Sequence, residues 1–324
     1  MSVKLYAGID IGATNIKFGL VDAKGNIRFK SKTVTPDATT PDKLFKSIQF
    51  CGEQLLITAD EEGGEVGSIG VGSPGTVNIA TGVVEGTCPN LPGWVGFHLR
   101  ERLKERLNLP VYVDNDANCA SLAELRFGAG QGYENIICLT IGTGIGGTLI
   151  INGRLHRGST FAAGEIGHMK IAVQRNGHTE FENLEKLVSS RAIVNEVRER
   201  LEEEMTPTFQ NLLGDSIDSL TIRKIFTAIK RGDAIARDVI TESGRLLGAT
   251  LAGLINVINP QLIILGGGVA EGGADFVETV KETIREQALS TVSQNLEIVR
   301  ATLGNDAGFI GAAFLGSNEK STEK

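Results

Sequence analysis

Apolar and polar positions divide residues 3–34 into three short runs separated by two glycine-bearing breaks. Leu5-Tyr6-Ala7-Gly8-Ile9 is followed by Gly12-Ala13-Thr14-Asn15, and Ile16 to Asp22 by Ala23-Lys24-Gly25-Asn26. This spacing predicts a β-meander of three strands. Apolar residues at helical spacing (Leu44, Phe45, Ile48, Leu55, Leu56) predict a helix from Pro41 to about Ala59. Val66–Val71 reads as a strand entering Gly72-Ser73-Pro74-Gly75, Leu99–Leu107 as a helix, Pro110–Val113 as a strand and Ala117–Phe127 as a helix. A second meander starts at Ile136, with strands over Ile136–Ile141 and Thr148–Ile151 around a Gly142–Gly147 turn. An offset of 130 lays Ile9 on Leu139, Ile11 on Ile141, Gly12 on Gly142 and Leu20-Val21 on Ile150-Ile151. Any two hairpins share some pattern, but the same glycine after the same strand points to two related half-molecules facing each other.

The remainder reads as mostly helical. Helices are expected over Ala192 to about Glu204, Leu220–Lys230 and Ala234–Ile258, the last stopped by Asn259-Pro260. Gln261–Leu265 reads as a buried strand running into Gly266-Gly267-Gly268. Asp275–Ala288 is an expected helix, Leu296–Arg300 a strand, Ala307–Leu315 a closing helix and Ser317–Lys324 a polar tail.

Composition narrows the class. Hydrophobic residues make up 41% and charged residues 22%, as in ordinary globular proteins. The net charge of −7 disfavours general binding to nucleic acid. No apolar run is long enough for a membrane span, and the first residues lack a signal-peptide core. Cys51, Cys88, Cys119 and Cys138 are far apart, as expected of reduced, buried thiols in a cytoplasmic protein. The 41 glycines, well above the usual share, cluster at turns where backbone approaches something closely.

Three glycine turns follow three apolar strands: Asp10-Ile11-Gly12-Ala13-Thr14, Gly142 to Gly147, and Gly266 to Gly268. Successive backbone N–H groups in such turns hold anions, and three of them point to a nucleotide rather than to plain turns. No Gly-Lys-Ser or Gly-Lys-Thr occurs, which removes a Walker-type loop. Gly142, Gly144 and Gly147 spell GxGxxG, but that dinucleotide fingerprint needs a helix next, and Thr148–Gly153 reads as strand and turn. Asp10 either caps its turn or serves a magnesium ion, which takes one or two carboxylates beside phosphates and water. Asn115-Asp116-Ala117-Asn118 sits where a helix N-cap belongs. With Asp114 it holds more polar groups than one cap needs, a set suited to a polyol and to a base for its hydroxyl proton. Gly164-Glu165-Ile166-Gly167-His168 adds a carboxylate and an imidazole three residues apart, able to face one ligand.

In order along the chain, Asp10–Lys17, Gly72–Gly75, Asn90-Leu91-Pro92-Gly93-Trp94, Asn115–Asn118, Gly142–Gly147 and Gly164–His168 resemble the ROK family of sugar kinases and repressors, within the actin-like ATPase superfamily. Leu265–Gly268 and Asn305-Asp306-Ala307-Gly308 extend the resemblance over almost the whole chain. It implies an α/β, two-lobed actin-like (ribonuclease H-like) fold with a duplicated β-meander core and an interlobe cleft. Residues 1–118 with 305–324 would form a smaller sugar and phosphate lobe, and 119–304 a larger nucleotide lobe. The resemblance places ATP on Asp10, Gly12, Ala13, Thr14, Lys17, Gly142, Thr143, Gly144 and Gly146, with adenosine near Gly266, Gly267 and Gly268. It places the sugar on Gly75, Asn90, Asn115, Asp116, Glu165, His168 and, through Leu184-Glu185-Lys186-Leu187, Glu185. Asp116 is then the catalytic base, and Asp10 orients Mg²⁺ through water.

One departure stands out. Family members usually carry a cysteine-rich, zinc-binding run after the Gly-His pair. Here Met169–Asn183 contains no cysteine, so no zinc site is expected, and His168 is left to donate to a sugar hydroxyl. The implied activity is an ATP-dependent hexose kinase, glucose first, with N-acetyl-hexosamine or fructose kinases as alternatives. Family repressors carry an extra N-terminal winged-helix segment, for which the stretch before Asp10 leaves no room. The expected partners are a hexose and ATP, with no nucleic acid or membrane, in a homodimer.

Overall fold

The computed structural model describes residues 3–36, 40–86, 88, 91, 93–175, 177–214 and 216–317. Asn90 and most of the polar tail therefore lie outside the described residues. The chain forms two compact units, one of Met1–Gly132, Leu155–Ala163 and Thr302–Lys324, the other of Tyr133–Arg154 and Gly164–Ala301. This division differs from a boundary at 118/119. It keeps the helix after Asn115 whole and assigns Leu155–Ala163 to the first unit.

The first unit opens with β1 (Val3–Ile11), β2 (Asn15–Val21) and β3 (Ile27–Val34), the expected meander. Then come α1 (Pro41–Glu61), β4 (Gly64–Ser73), the small pair β5 (Val77–Asn78) and β6 (Val83–Val84), α2 (Leu99–Leu107), β7 (Val111–Asn115) and α3 (Asp116–Phe127). Helix α1 starts at a proline, which is tolerated where the first N–H has no helical partner. It buries Leu44, Phe45, Ile48, Cys51 and Leu55 on one face. The sheet runs β3-β2-β1-β4-β7, with β1, β4 and β7 parallel.

The second unit begins with β8 (Ile136–Ile141) and β9 (Ile145–Ile151). The chain continues through β10 (Arg154–His156) and the hairpin β11 (Lys170–Arg175) and β12 (His178–Asn183). Helices follow: α4 (Glu185–Val188), α5 (Ser190–Glu203), α6 (Pro207–Leu213), α7 (Ile222–Lys230) and α8 (Ala234–Ile258). Strand β13 (Leu262–Gly266), α9 (Gly267–Gly272), α10 (Ala274–Gln287), α11 (Ser290–Ser293) and β14 (Glu297–Arg300) complete it. Helix α12 (Ala307–Ala313) returns to the first unit. The second five-stranded sheet runs β10-β9-β8-β13-β14, with β8, β13 and β14 parallel and β9 antiparallel to β8. The strand order of the two sheets agrees, as do the directions of their four matching inner and edge strands, so the duplicated α/β core is present.

The repeat needs one correction. The first hairpin pairs Ile11 with Ile16, the second Ile141 with Ile145, so the second tip is one residue shorter. Val21 pairs with Tyr6 and Ile150 with Ile136, which makes Ile150, not Ile151, the counterpart of Val21. A one-residue slip turns a side chain to the other face of a sheet. Accordingly Val21 and Ile150 are both buried, whereas Ile151 is half-buried. Two further expectations shift. Gly146 lies within β9 rather than in the turn, and Gly267 and Gly268 begin a helix directly after β13.

Each unit has its own apolar core. Leu5, Ile9, Phe18, Leu44, Leu55 and Trp94 anchor the first, and Ile137, Val197, Phe209, Leu247, Ile263 and Phe276 the second. Helix α12 lies so close to the first sheet that a Cβ at Gly8 or Gly70 would overlap the carbonyl oxygens of Phe309 or Ala312. On α12's other side, a Cβ at Gly311 would overlap the Cys119 carbonyl oxygen of α3. None of the four cysteines forms a disulfide, and all are buried.

Candidate active-site elements

In the first unit, register alone assembles a polar row. Parallel pairing sets Asp10 of β1 beside Gly72 of β4, and Gly72 beside Asp114 of β7, at the strands' C-terminal ends. Asn115 pairs with Ser73 and then caps α3, its side-chain oxygen accepting the N–H groups of Ala117 (2.9 Å) and Asn118 (3.2 Å). Its amide nitrogen donates to the Gly75 carbonyl at 3.1 Å. Gly75 has φ +88 and packs against Cys88, which explains glycine there without a ligand. Asp116 is the first residue of α3, and its Oδ1 accepts the Ala117 N–H at 2.9 Å. Its charge reaches Cys88, whose thiol is pushed up to about 11, first by burial and then by Asp116. Cys119 feels burial, then Asp114, Asp10 and Asp116, and its thiol is held far above the ordinary range. The charges of all three aspartates are therefore felt at one buried sulfur.

Asp10 itself is half-buried, with Gly308 so near its carboxyl that a Cβ there would come within 2.5 Å of Cγ. Burial pushes its carboxyl from 3.8 up to about 6, and Lys17, its partner in register on β2, pulls the other way. The Lys17 ammonium also donates to the Asn305 carbonyl at 2.9 Å. The Gly12 N–H closes the first turn on the Asn15 carbonyl (3.1 Å), and the Thr35 hydroxyl donates to the Gly12 carbonyl (2.7 Å). Gly12 thus shapes the tip, its own N–H and carbonyl both engaged.

The second hairpin repeats this device. The Gly142 N–H closes on the Gly144 carbonyl (2.9 Å), and the Gly142 carbonyl accepts Ser190 N–H (2.8 Å), leaving Thr143 and Gly144 at the tip. Glu185, at the start of α4, turns its carboxylate onto this tip. Oε2 lies 3.3 Å from the Ile145 N–H and would be 2.7 Å from a Cβ at Gly144. Gly266 to Gly268 stand beside the root of the same hairpin, where a Cβ at Gly267 would come within 2.5 Å of the Ile141 carbonyl oxygen. Glu165 and His168 flank a short 3₁₀ turn, with Glu165 Oε2 4.0 Å from His168 Nε2. The Asn183 amide lies 3.3 Å from His168 Nδ1. With that amide as donor, the ring proton is on Nε2 and faces Glu165. Both side chains are about half exposed. The position of the family's cysteine run is taken by the β11–β12 hairpin, and no cluster of three or more metal-ligating side chains occurs among the described residues.

Sequence reasoning missed three partners. Arg157 holds Asp114, Glu124 gathers the Thr302 and Leu303 N–H groups, and Trp94 donates to Ser73 at 2.9 Å. Only the first left a signal: a carboxylate ending a buried strand requires a counter-charge.

Comparison with known proteins bears on the chain as a whole. The model of the ROK family matches residues 6–319. A glucokinase of Halalkalibacterium halodurans is 34% identical over 100% of this chain and 98% of its own length. The solved structure of a ROK family glucokinase from Streptomyces griseus, in complex with glucose and AMPPNP, is similar at TM-score 0.82. It is 33% identical, over 96% of this chain and 98% of that one. A ROK family transcriptional regulator, a homologue of the E. coli MLC protein, is similar at TM-score 0.85 and 28% identity, over 97% of this chain and 78% of its own.

Proposed function

Because the chain belongs to the ROK family, we propose that it is an ATP-dependent hexose kinase that moves the γ-phosphate of ATP to the 6-hydroxyl of glucose. The observation that carries this reading is the grouping of Asp10 near the end of β1, Asp114 near the end of the parallel β7 and Asp116 at the start of α3 directly after it, beside the glycine-tipped β1–β2 hairpin. Phosphoryl transfer asks a protein mainly for positioning and charge neutralisation. Asp116 takes the hydroxyl proton, for which it comes within about 2.6–3.2 Å of the sugar oxygen. Its place in the first turn of α3 favours the charged form that can accept a proton. In the first unit the amides of Ala13 and Thr14 suit phosphate oxygens and Asn115 a sugar hydroxyl; in the second the amides of Thr143 and Gly144 suit phosphate oxygens, and Glu165, His168 and Glu185 sugar hydroxyls. The donor set fits a magnesium ion, since one half-buried carboxylate, Asp10, suits an ion that keeps most of its water. Bound with ATP, such an ion neutralises phosphate charge.

The test is a panel of hexoses with ATP and Mg²⁺, scored by mass spectrometry for the phosphorylated product. Glucose 6-phosphate is expected. A panel led by an N-acetyl-hexosamine or fructose revises the substrate, and no product from any sugar refutes the kinase. Asp116→Ala is expected to abolish transfer while ATP still binds, and retained turnover would remove Asp116 from its role.

A further inference from the structure

Residues Leu155–Ala163 belong to the first unit, although the chain on both sides of them belongs to the second. Within this strap, Arg157 directs both Nε (3.0 Å) and Nη2 (2.6 Å) at Oδ2 of Asp114. The Asp114 side chain is 3% exposed and that of Arg157 is 22% exposed, so this is a shielded pair rather than a surface contact. The other oxygen of Asp114 accepts the Asn115 N–H at 2.8 Å and the Asn118 side-chain amide at 2.9 Å. One carboxylate thus grips the residue before Asp116 and the residue two after it. The strap is itself closed by the Ala163 N–H on the Arg157 carbonyl at 3.0 Å, just before Gly164-Glu165.

The charges make the pair consequential. Asp10, Asp114 and Asp116 stand close enough to act on the same Cys119 sulfur, and Arg157 acts on it in the opposite sense. Like carboxylates in a shielded site cannot all stay ionised without a counter-charge. Lys17 faces Asp10, and Arg157 faces Asp114.

We propose that Arg157 is a positioning residue for the proton acceptor: by neutralising buried Asp114, it fixes Asn115 and Asn118 around Asp116 and keeps the start of α3 in the geometry that proton transfer needs. The proposal rests on the kinase reading for its catalytic half, while the charge pairing stands independently of it.

The experiment compares full-length Arg157→Gln, Arg157→Lys, Asp114→Asn and the Asp114→Asn/Arg157→Gln double variant. It measures kcat and KM for glucose and ATP by coupled ADP release, and unfolding midpoints by calorimetry. Arg157→Gln is expected to lower kcat by about tenfold or more with both KM values nearly unchanged. Arg157→Lys should recover part of that loss, because it keeps the charge but not the two-nitrogen geometry. The double variant should melt higher and turn over faster than Arg157→Gln alone, since no unpaired buried charge remains. A wild-type kcat in Arg157→Gln, a loss confined to KM, or simple additivity in the double variant would overturn the proposal. If the wild-type chain phosphorylates no sugar, the kinase reading and the catalytic half of this one fall together. The melting cycle then decides the pairing by itself: recovery in the double variant supports it and additivity rejects it.

Discussion

Replacing Asp10 by Asn is expected to make the protein more stable at neutral pH while removing its kinase activity. Burial raises the Asp10 carboxyl from 3.8 to about 6 in the folded state, against the partial pull of Lys17. A folded-state value above the unfolded one means that the native state prefers the protonated acid. The stabilising contribution is therefore full below about pH 4 and is lost as pH rises through about 6. Above that, the ionised carboxylate costs about 3 kcal/mol, from a shift of roughly two units at 1.36 kcal/mol each. Asparagine has the shape of the protonated acid and cannot ionise. By the same linkage relation, Asp10→Asn should gain about 3 kcal/mol at pH 7.5 but only about 1 kcal/mol at pH 4.5. Urea unfolding of both proteins at the two pH values, with m held common, measures this directly. Equal increments at both values, or no gain at pH 7.5, would show that burial of Asp10 is not the cause. The outcome also bears on function, because a carboxylate retained at such a cost has work to do in the ionised form.

Two other perturbations probe the frame around the site. Gly311→Ala places a Cβ on the Cys119 carbonyl, so α12 and α3 must separate, at a cost of about 1–3 kcal/mol or more; an unchanged melting temperature would refute the close packing. Glu124 is buried and accepts from Ala129 N–H (2.9 Å), Thr302 N–H (2.9 Å), Leu303 N–H (2.7 Å) and the Thr302 hydroxyl (3.0 Å). Glu124→Gln turns an amide NH₂ against some of these donors and should cost about 2–3 kcal/mol in chemical denaturation, with a loss under about 0.5 kcal/mol counting against it.

Both meanders were legible because strand alternation and glycine punctuation are local signals. So were the start of α1 at Pro41 and the end of α8 at Asn259-Pro260. The second hairpin's tip was misread for a physical reason. Gly146 and Gly147 have poor strand propensity, and only neighbours distant in sequence make them a strand. The Gly164 carbonyl lies against Gly147, and Gly167 lies against the Ile145 carbonyl. The β11–β12 hairpin left little signal because its inward face, at Ile171 and Val173, is only half-buried, while Ala172, Gln174, Thr179, Glu180 and Phe181 are all exposed. The candidate site divides the same way. Asp10, Asn115 and Asp116 stood out beside their own glycine turn or cap. The link between Asp114 and Arg157 spans 43 residues, and no local pattern encodes it.

The two hairpins, alike in topology, carry charge differently. In the first, Asp10 and Lys17 face each other one pair behind the tip. The corresponding pair in the second is Thr140 and Gly146, which carries no charge at all. Its nearby carboxylate comes instead from Glu185 on α4, which accepts from the Ile145 N–H and covers Gly144. A phosphate approaching that backbone meets a negative group already placed there, whereas behind the first tip a lysine offsets the carboxylate. The duplication therefore supplied two backbone cups of the same shape. Side chains from within the first hairpin and from outside the second give the two cups different charge: an aspartate paired with a lysine behind the first tip, and a glutamate carboxylate over the second.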